Sequence, residues 1–177
     1  MAVSQDLVAG IIDNIRRVFQ VVNEHSKLIE RETGLSGSQL WAMKVIAEAT
    51  PVKPSELARR MYLHPATVVG LIDRLVKRGL VVRTRSEKDR RIVEIALTEK
   101  GVGLLALAPK VPQKLLVRGL EALSEERMMM VAGGLEELVR ILGAEGIPPQ
   151  LILSSEVNIP PRGKTSQLTA RKAVMND

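Results

Sequence analysis

The sequence predicts a mostly α (α+β) fold, a winged helix-turn-helix carried between long N- and C-terminal dimerisation helices. Three observations predict it. Residues 52–97 read helix, turn, helix, strand, basic turn, strand, in PSELARRMY, PATVVGLIDRLVKRG, LVVRTR, SEKDR and RIVEIAL. In the second of these helices Val68, Leu71, Ile72, Leu75 and Val76 fall at i, i+3, i+4, i+7 and i+8, one apolar stripe at the helical period. The basic charge is local: residues 51–100 hold 12 Lys+Arg against 6 Asp+Glu, whereas residues 1–50 and 101–150 each hold 5 against 6. A cation excess confined to one unit is what phosphate neutralisation requires.

Taken in order, residues 6–32 read as one long helix. Leu7, Ile11, Ile15, Val18, Val22 and Ile29 recur at steps of three, four and seven, and Gly34 ends the run. Such a helix exceeds what one small domain needs, so its apolar face is assigned to a second chain, the alternative being an ordinary core helix. Ser36 and Gln39 have the spacing of a capping box opening the next helix, whose packing falls to Leu40, Met43, Val45, Ile46 and Ala47 before Thr50-Pro51 stops it. The two helices of the helix-turn-helix begin with Pro54 and Pro65, suited to a first helical position because proline has no N–H to leave unpaired. Their N-caps, Lys53 and His64, are poor ones, which leaves backbone N–H groups for a DNA phosphate. Thr67, Gly70, Arg74 and Lys77 are read as the exposed, groove-facing side of the recognition helix, and Gly79 as its stop.

Two strands follow at period two: Leu80, Val82 and Thr84 against Val81, Arg83 and Arg85, then Val93, Ile95 and Leu97 against Ile92, Glu94 and Ala96. The polar turn Ser86–Arg91 between them is the wing. Thr98 can cap a helix lined by Leu104, Leu105, Leu107, Leu115, Leu116 and Leu120, which Pro109 and Pro112 kink or break. Ser124 caps a last long helix with Glu125 and Glu126 in its first turn and Gly133-Gly134 inside, a pair that suits close helix-to-helix contact. Beyond residue 143 the prolines multiply. Leu151, Ile152, Leu153, Val157 and Ile159 are expected to dock onto the helices or a partner. The domain reading is therefore an N-terminal dimerisation helix (1–34), a winged helix-turn-helix (35–101), C-terminal dimerisation helices (102–143) and a Pro-containing extension (144–177).

Composition narrows the function classes. Phe19, Trp41 and Tyr62 are the only aromatics, too few for a stacking platform for single strands. The absence of cysteine excludes disulfides, thiol redox sensing and thiolate metal sites, and fits a reducing compartment. No signal-like N-terminus or long apolar run is present, so a cytoplasmic protein with no membrane partner is expected. The two histidines, His25 and His64, have no metal-ligand spacing, and neither a phosphate loop nor a nucleophile elbow appears. No enzyme, cofactor or metal is expected.

With these residues in place, SELARRMYLHPATVVGLIDRLVKRGLVVR and EKDRRIVEIALTEKG resemble the MarR family of transcription regulators. The second piece is similar to that family's wing signature through Asp89, Arg91, Leu97, Thr98 and Gly101. The resemblance covers roughly residues 6–142 and leaves the tail outside it. It implies a homodimer whose N- and C-terminal helices intertwine. Ala66, Thr67, Gly70 and Arg74 would lie along a major groove, with Arg90 and Arg91 at a wing that reaches the minor groove. Gly70 stands where the family commonly carries longer polar side chains, which shifts weight toward shape readout.

The expected function is a sequence-specific regulator of transcription, a repressor. It would bind a pseudo-palindromic operator in double-stranded DNA as a homodimer and be released by a small organic effector. The alternative is a winged-helix protein-interaction or architectural module without an operator. Candidate DNA-binding residues are Ser55, His64, Ala66, Thr67, Gly70, Arg74, Lys77, Arg83, Arg85, Lys88, Arg90 and Arg91, with Asp89 shaping the wing; no ligand-binding residue is assigned.

Overall fold

A computed structural model describes residues 5–87, 89–109, 112–151 and 158. Seven helices and two strands follow in the order α1 (Gln5–Thr33), α2 (Gly37–Glu48), α3 (Pro54–Arg60), α4 (Pro65–Lys77), β1 (Val81–Arg85), β2 (Val93–Leu97), α5 (Glu99–Leu107), α6 (Pro112–Glu121) and α7 (Glu125–Ile141). The chain divides into two compact units. One takes the residues up to Trp41 together with Gly103–Ile147, and the other takes Ala42–Val102 with Pro148–Leu151 and residue 158.

In the first unit α1 runs unbroken over the expected span. The capping box at the start of α2 closes in both directions. Gln39 N donates to Ser36 Oγ at 3.3 Å and Ser36 N donates to Gln39 Oε1 at 3.2 Å. Ser124 likewise caps α7 through Arg127 N. The expected break at Pro109 and Pro112 separates α5 from α6. The leucines that were expected to line these helices are not a core of this chain, because Leu107, Leu115 and Leu116 are all exposed. More telling, none of the 17 residues of α7 is buried, and Leu7, Val8, Ile11 and Ile12 stand exposed on α1. An apolar face of this length is left without a covering layer in the single chain.

The second unit is built around α4. Val68, Leu71, Ile72 and Leu75 are fully buried, and Val76, the fifth residue of the stripe, lies at its exposed edge. α3 and β1 pack against α4, and β2 packs on α3. Met43, Val45, Ile46, Val52, Leu57, Met61, Leu80 and Ile95 are buried with them; Ala47, in the last turn of α2, is exposed rather than packed. Each such Leu or Ile stabilises by about 1.5–3 kcal/mol on leaving water. The antiparallel pair β1–β2 registers Val81 with Leu97 and Arg85 with Val93, and Val52 bridges Ile95 on the other edge of β2. The strands pair as the hairpin that the period-two reading expects, with little of either one buried. Val81 is the one buried residue of β1 and Ile95 that of β2, because a two-stranded ribbon has most of both faces in solvent.

Three helix ends, those of α3, α4 and, at Gly143, α7, share one closing geometry. Gly79, at a φ of 68°, lets its own N–H reach Val76 O at 2.8 Å and the Leu80 N–H reach Leu75 O at 3.0 Å. This is the paired bond set of a Schellman ending, and the left-handed residue it needs is a glycine. α3 ends the same way on Tyr62, with a φ of 53°, which no residue pattern announced. Among the described residues no helix is long and apolar enough to cross a membrane. In the tail Leu151 is buried as expected, whereas Ile152, Leu153, Val157 and Ile159 lie outside the described residues.

Candidate nucleic-acid interface

Burying the apolar stripe of α4 forces its other side outward. Ala66, Val69, Arg74 and Lys77 are exposed and Gly70 half-buried, so a short cation-bearing face runs the length of the helix. The Arg74 guanidinium folds back along this face: a Cβ built on Gly70 would stand 3.7 Å from Arg74 Nη2. That distance is ordinary contact with a flexible side-chain end. Gly70→Ala is therefore expected to fit, and to stabilise the helix by about 1 kcal/mol through propensity alone. A thermal melt should rise by roughly 2–4 °C; a fall would mean that Arg74 cannot yield.

Thr67 corrects the sequence reading. It is 6% exposed, not groove-facing. The position lies one turn before Leu71 and next to Val68, at the flank of the buried stripe. Its hydroxyl donates to Asn158 Oδ1 at 3.3 Å. His64, the N-cap of α4, makes no side-chain cap, in keeping with the expectation of a poor one. Its backbone N–H, however, is engaged by the same Asn158 Oδ1, at 3.0 Å. No sequence signal links residues 64 and 158, since the bond closes 94 positions of chain.

The wing turn is held by Asp89. Its Oδ1 accepts from Arg91 N at 2.9 Å, its carbonyl accepts from Ile92 N at 2.9 Å, and Ser86 N closes the turn on Ile92 O. Asp89 thus acts on backbone, and Arg85, Arg90 and Arg91 stand exposed around the turn it shapes. Arg83 is placed differently. Its Nη1 lies 2.6 Å from Asp73 Oδ1, tying β1 to α4 and occupying a guanidinium that had been assigned to DNA. Lys88 lies outside the described residues.

On α3, Ser55 is exposed in the first turn. Behind it Glu56 takes Arg59 through both carboxylate oxygens, at 2.7 and 2.9 Å, and Arg60 at 2.7 Å. Those bonds, Arg59's first, hold the Glu56 carboxyl down to about 2. The cations of α3 are thus engaged locally by Glu56, while Arg74 and Lys77 stand exposed on α4 and Arg85, Arg90 and Arg91 around the wing turn. Among the described residues no three His, Cys, Asp or Glu side chains group as metal ligands would.

Residues 35–93 match the model of the MarR family. Among characterised proteins, the chain is 27% identical over 132 residues to the HTH-type transcriptional repressor MdtR of Bacillus subtilis, covering 75% of this chain and 85% of that one. To an uncharacterized HTH-type transcriptional regulator, YfiV, of the same organism it is 34% identical over 108 residues, covering 61% and 68%. The crystal structure of the YusO protein from Bacillus subtilis superposes with a TM-score of 0.50 at 26% identity, covering 78% of this chain and 99% of that one.

Proposed function

We propose, for a chain that belongs to the MarR family, that this protein is a homodimeric repressor that binds a pseudo-palindromic operator. It is a transcription regulator with a DNA-binding winged helix, not an enzyme. The finer reading rests on one observation above the rest. Arg74 and Lys77 stand exposed on the outer face of α4 and Arg85, Arg90 and Arg91 around the β1–β2 turn, the two surfaces that a winged helix offers to a major and a minor groove. Arg74 and Lys77 on the helix, with Arg85, Arg90 and Arg91 on the wing, carry the contact; Ser55 and Ala66 line it. The repressor assignment follows the relative MdtR.

Dimerisation is supported by the uncovered apolar faces of α1 and α7, where residues 6–32 and 114–142 supply the interface. Two-fold pairing of such faces also repeats the DNA-binding unit, as a pseudo-palindrome demands. Release is assigned to a small organic molecule held by aliphatic side chains, since a cysteine-free chain has no thiol to sense an oxidant.

Sedimentation at micromolar concentration, together with a gel shift on DNA upstream of the protein's own coding region, tests this reading. The expected mass is about 39 kDa, twice the chain mass of 19.4 kDa. The expected shift is retained over competitor DNA and weakens as salt rises. A stable monomer, or equal binding to any duplex, would overturn it and leave a winged-helix interaction or architectural module.

A further inference from the structure

The tail bears on the recognition helix at one well-defined place. Asn158 Oδ1 accepts from the backbone N–H of His64 at 3.0 Å and from the Thr67 hydroxyl at 3.3 Å. His64 is the N-cap of α4 and Thr67 the third residue of its first turn. The amide oxygen therefore does for this helix what a Glu or Gln at the third position does in a capping box, but it comes from outside the helix. Asn158 is itself held: its own N–H donates to Pro149 O at 2.9 Å, and nearby in sequence Leu151 is buried. The acceptor is fixed from both sides.

We propose that Asn158 is an autoinhibitory latch, in which the chain's own amide oxygen takes a seat on the recognition helix that a DNA phosphate oxygen takes in the complex. The inference rests on the DNA-binding reading of α4. A helix N-terminus presents N–H donors and the positive end of the helix dipole, and it favours an acceptor there. His64 and Thr67 are two residues at the end of α4 that leads into the groove, yet Thr67 is almost wholly buried with Asn158 on its hydroxyl. A phosphate oxygen cannot stand at hydrogen-bond distance from the His64 N–H while Asn158 Oδ1 occupies that distance. Displacement is feasible because a neutral amide oxygen is a weaker acceptor than an anionic phosphate. The latch thus sets a threshold: it lowers affinity for every duplex by the share of molecules in which it is closed, without contributing to the choice of sequence.

The test uses the full-length chain and the variants Asn158→Ala and Asn158→Asp, with two readouts. The first is amide hydrogen exchange at His64 in the free protein, and the second is fluorescence anisotropy on operator and scrambled duplexes across a salt series. Asn158→Ala is expected to lose protection at His64 and to bind both duplexes about three- to tenfold more tightly, the weight of one or two neutral hydrogen bonds, with the salt slope unchanged. Asn158→Asp places an anionic acceptor at the positive helix end and is expected to hold the seat more firmly and weaken binding to both. Unchanged protection in Asn158→Ala would show that no latch exists in solution. Lost protection with equal or weaker DNA binding would show that the tail serves the complex instead, and would overturn the proposal. If neither the wild type nor either variant binds any duplex, the regulator reading fails and the latch falls with it, while His64 exchange still reports the Asn158 contact separately.

Discussion

Gly101→Ala is expected to destabilise the protein by about 3 kcal/mol and to lower its thermal midpoint by roughly 6–12 °C. The cause is a close approach of two backbones. A Cβ at Gly101 would run into the carbonyl oxygen of Leu80, with the Leu80 carbonyl carbon only 3.1 Å away. That carbonyl is fixed: it accepts the Thr98 N–H at 3.1 Å, next to the left-handed Gly79 that ends α4. Thr98 completes the joint, since its hydroxyl donates to Gly79 O at 2.7 Å and accepts the Gly101 N–H at 3.0 Å, capping α5. A flexible side-chain end could move aside for a methyl group; a backbone carbonyl at the base of the wing cannot. Gly103→Ala is the control, because nothing lies within 4 Å of its Cβ position. Equal melting of the two variants would show that the joint is looser than its geometry.

That joint also shows why part of the fold could be read from the sequence. Gly101 entered only as a piece of a family signature, and its close approach to the Leu80 carbonyl, which Thr98 N–H holds in place, gives it a physical role. Local patterns survived because their causes are local. The α4 stripe is a matter of period, the Ser36–Gln39 box a matter of spacing, and the Gly79 ending a matter of one residue's freedom at positive φ. Failures came where the deciding partner is distant or where a pattern meets too few layers. Thr67 sits at the flank of the stripe, and residue 158 helps decide on which side of the boundary it falls. Arg83 looked like one more wing cation because strand period says nothing about Asp73 across the unit. Strand alternation also does not say how little of a two-stranded ribbon is buried. Tyr62 adopts a left-handed turn that glycine would ordinarily signal. For the proposed interface the sequence pointed to α4 and the wing, where Arg74, Lys77, Arg85, Arg90 and Arg91 stand exposed. It gave no sign that Arg83 pairs with Asp73.

The wing cations carry the second large effect. Arg90→Ala and Arg91→Ala are each expected to weaken binding to operator and scrambled duplex alike. Both residues stand exposed on a turn whose backbone Asp89 fixes, so a long cation there reaches phosphate and minor groove without meeting the edges of bases in the major groove. In a homodimer each substitution removes one phosphate contact per half-site. The slope of log affinity against log salt should therefore become shallower by about 1.8, at roughly 0.9 per phosphate. Arg74→Ala should behave differently, because Arg74 lies on the outer face of α4. Its loss should cost on the order of 1–3 kcal/mol at the operator and less on scrambled DNA. Asp89→Ala removes the acceptor for the Arg91 N–H and should resemble the wing variants by letting the turn lose its shape. Anisotropy titrations over a salt series separate the two classes. If Arg91→Ala left both affinities and the slope unchanged, the wing would not touch DNA and the interaction-module reading would take precedence. If Arg74→Ala weakened both duplexes equally, α4 would be holding backbone only, and sequence choice would have to come from the shape of the DNA.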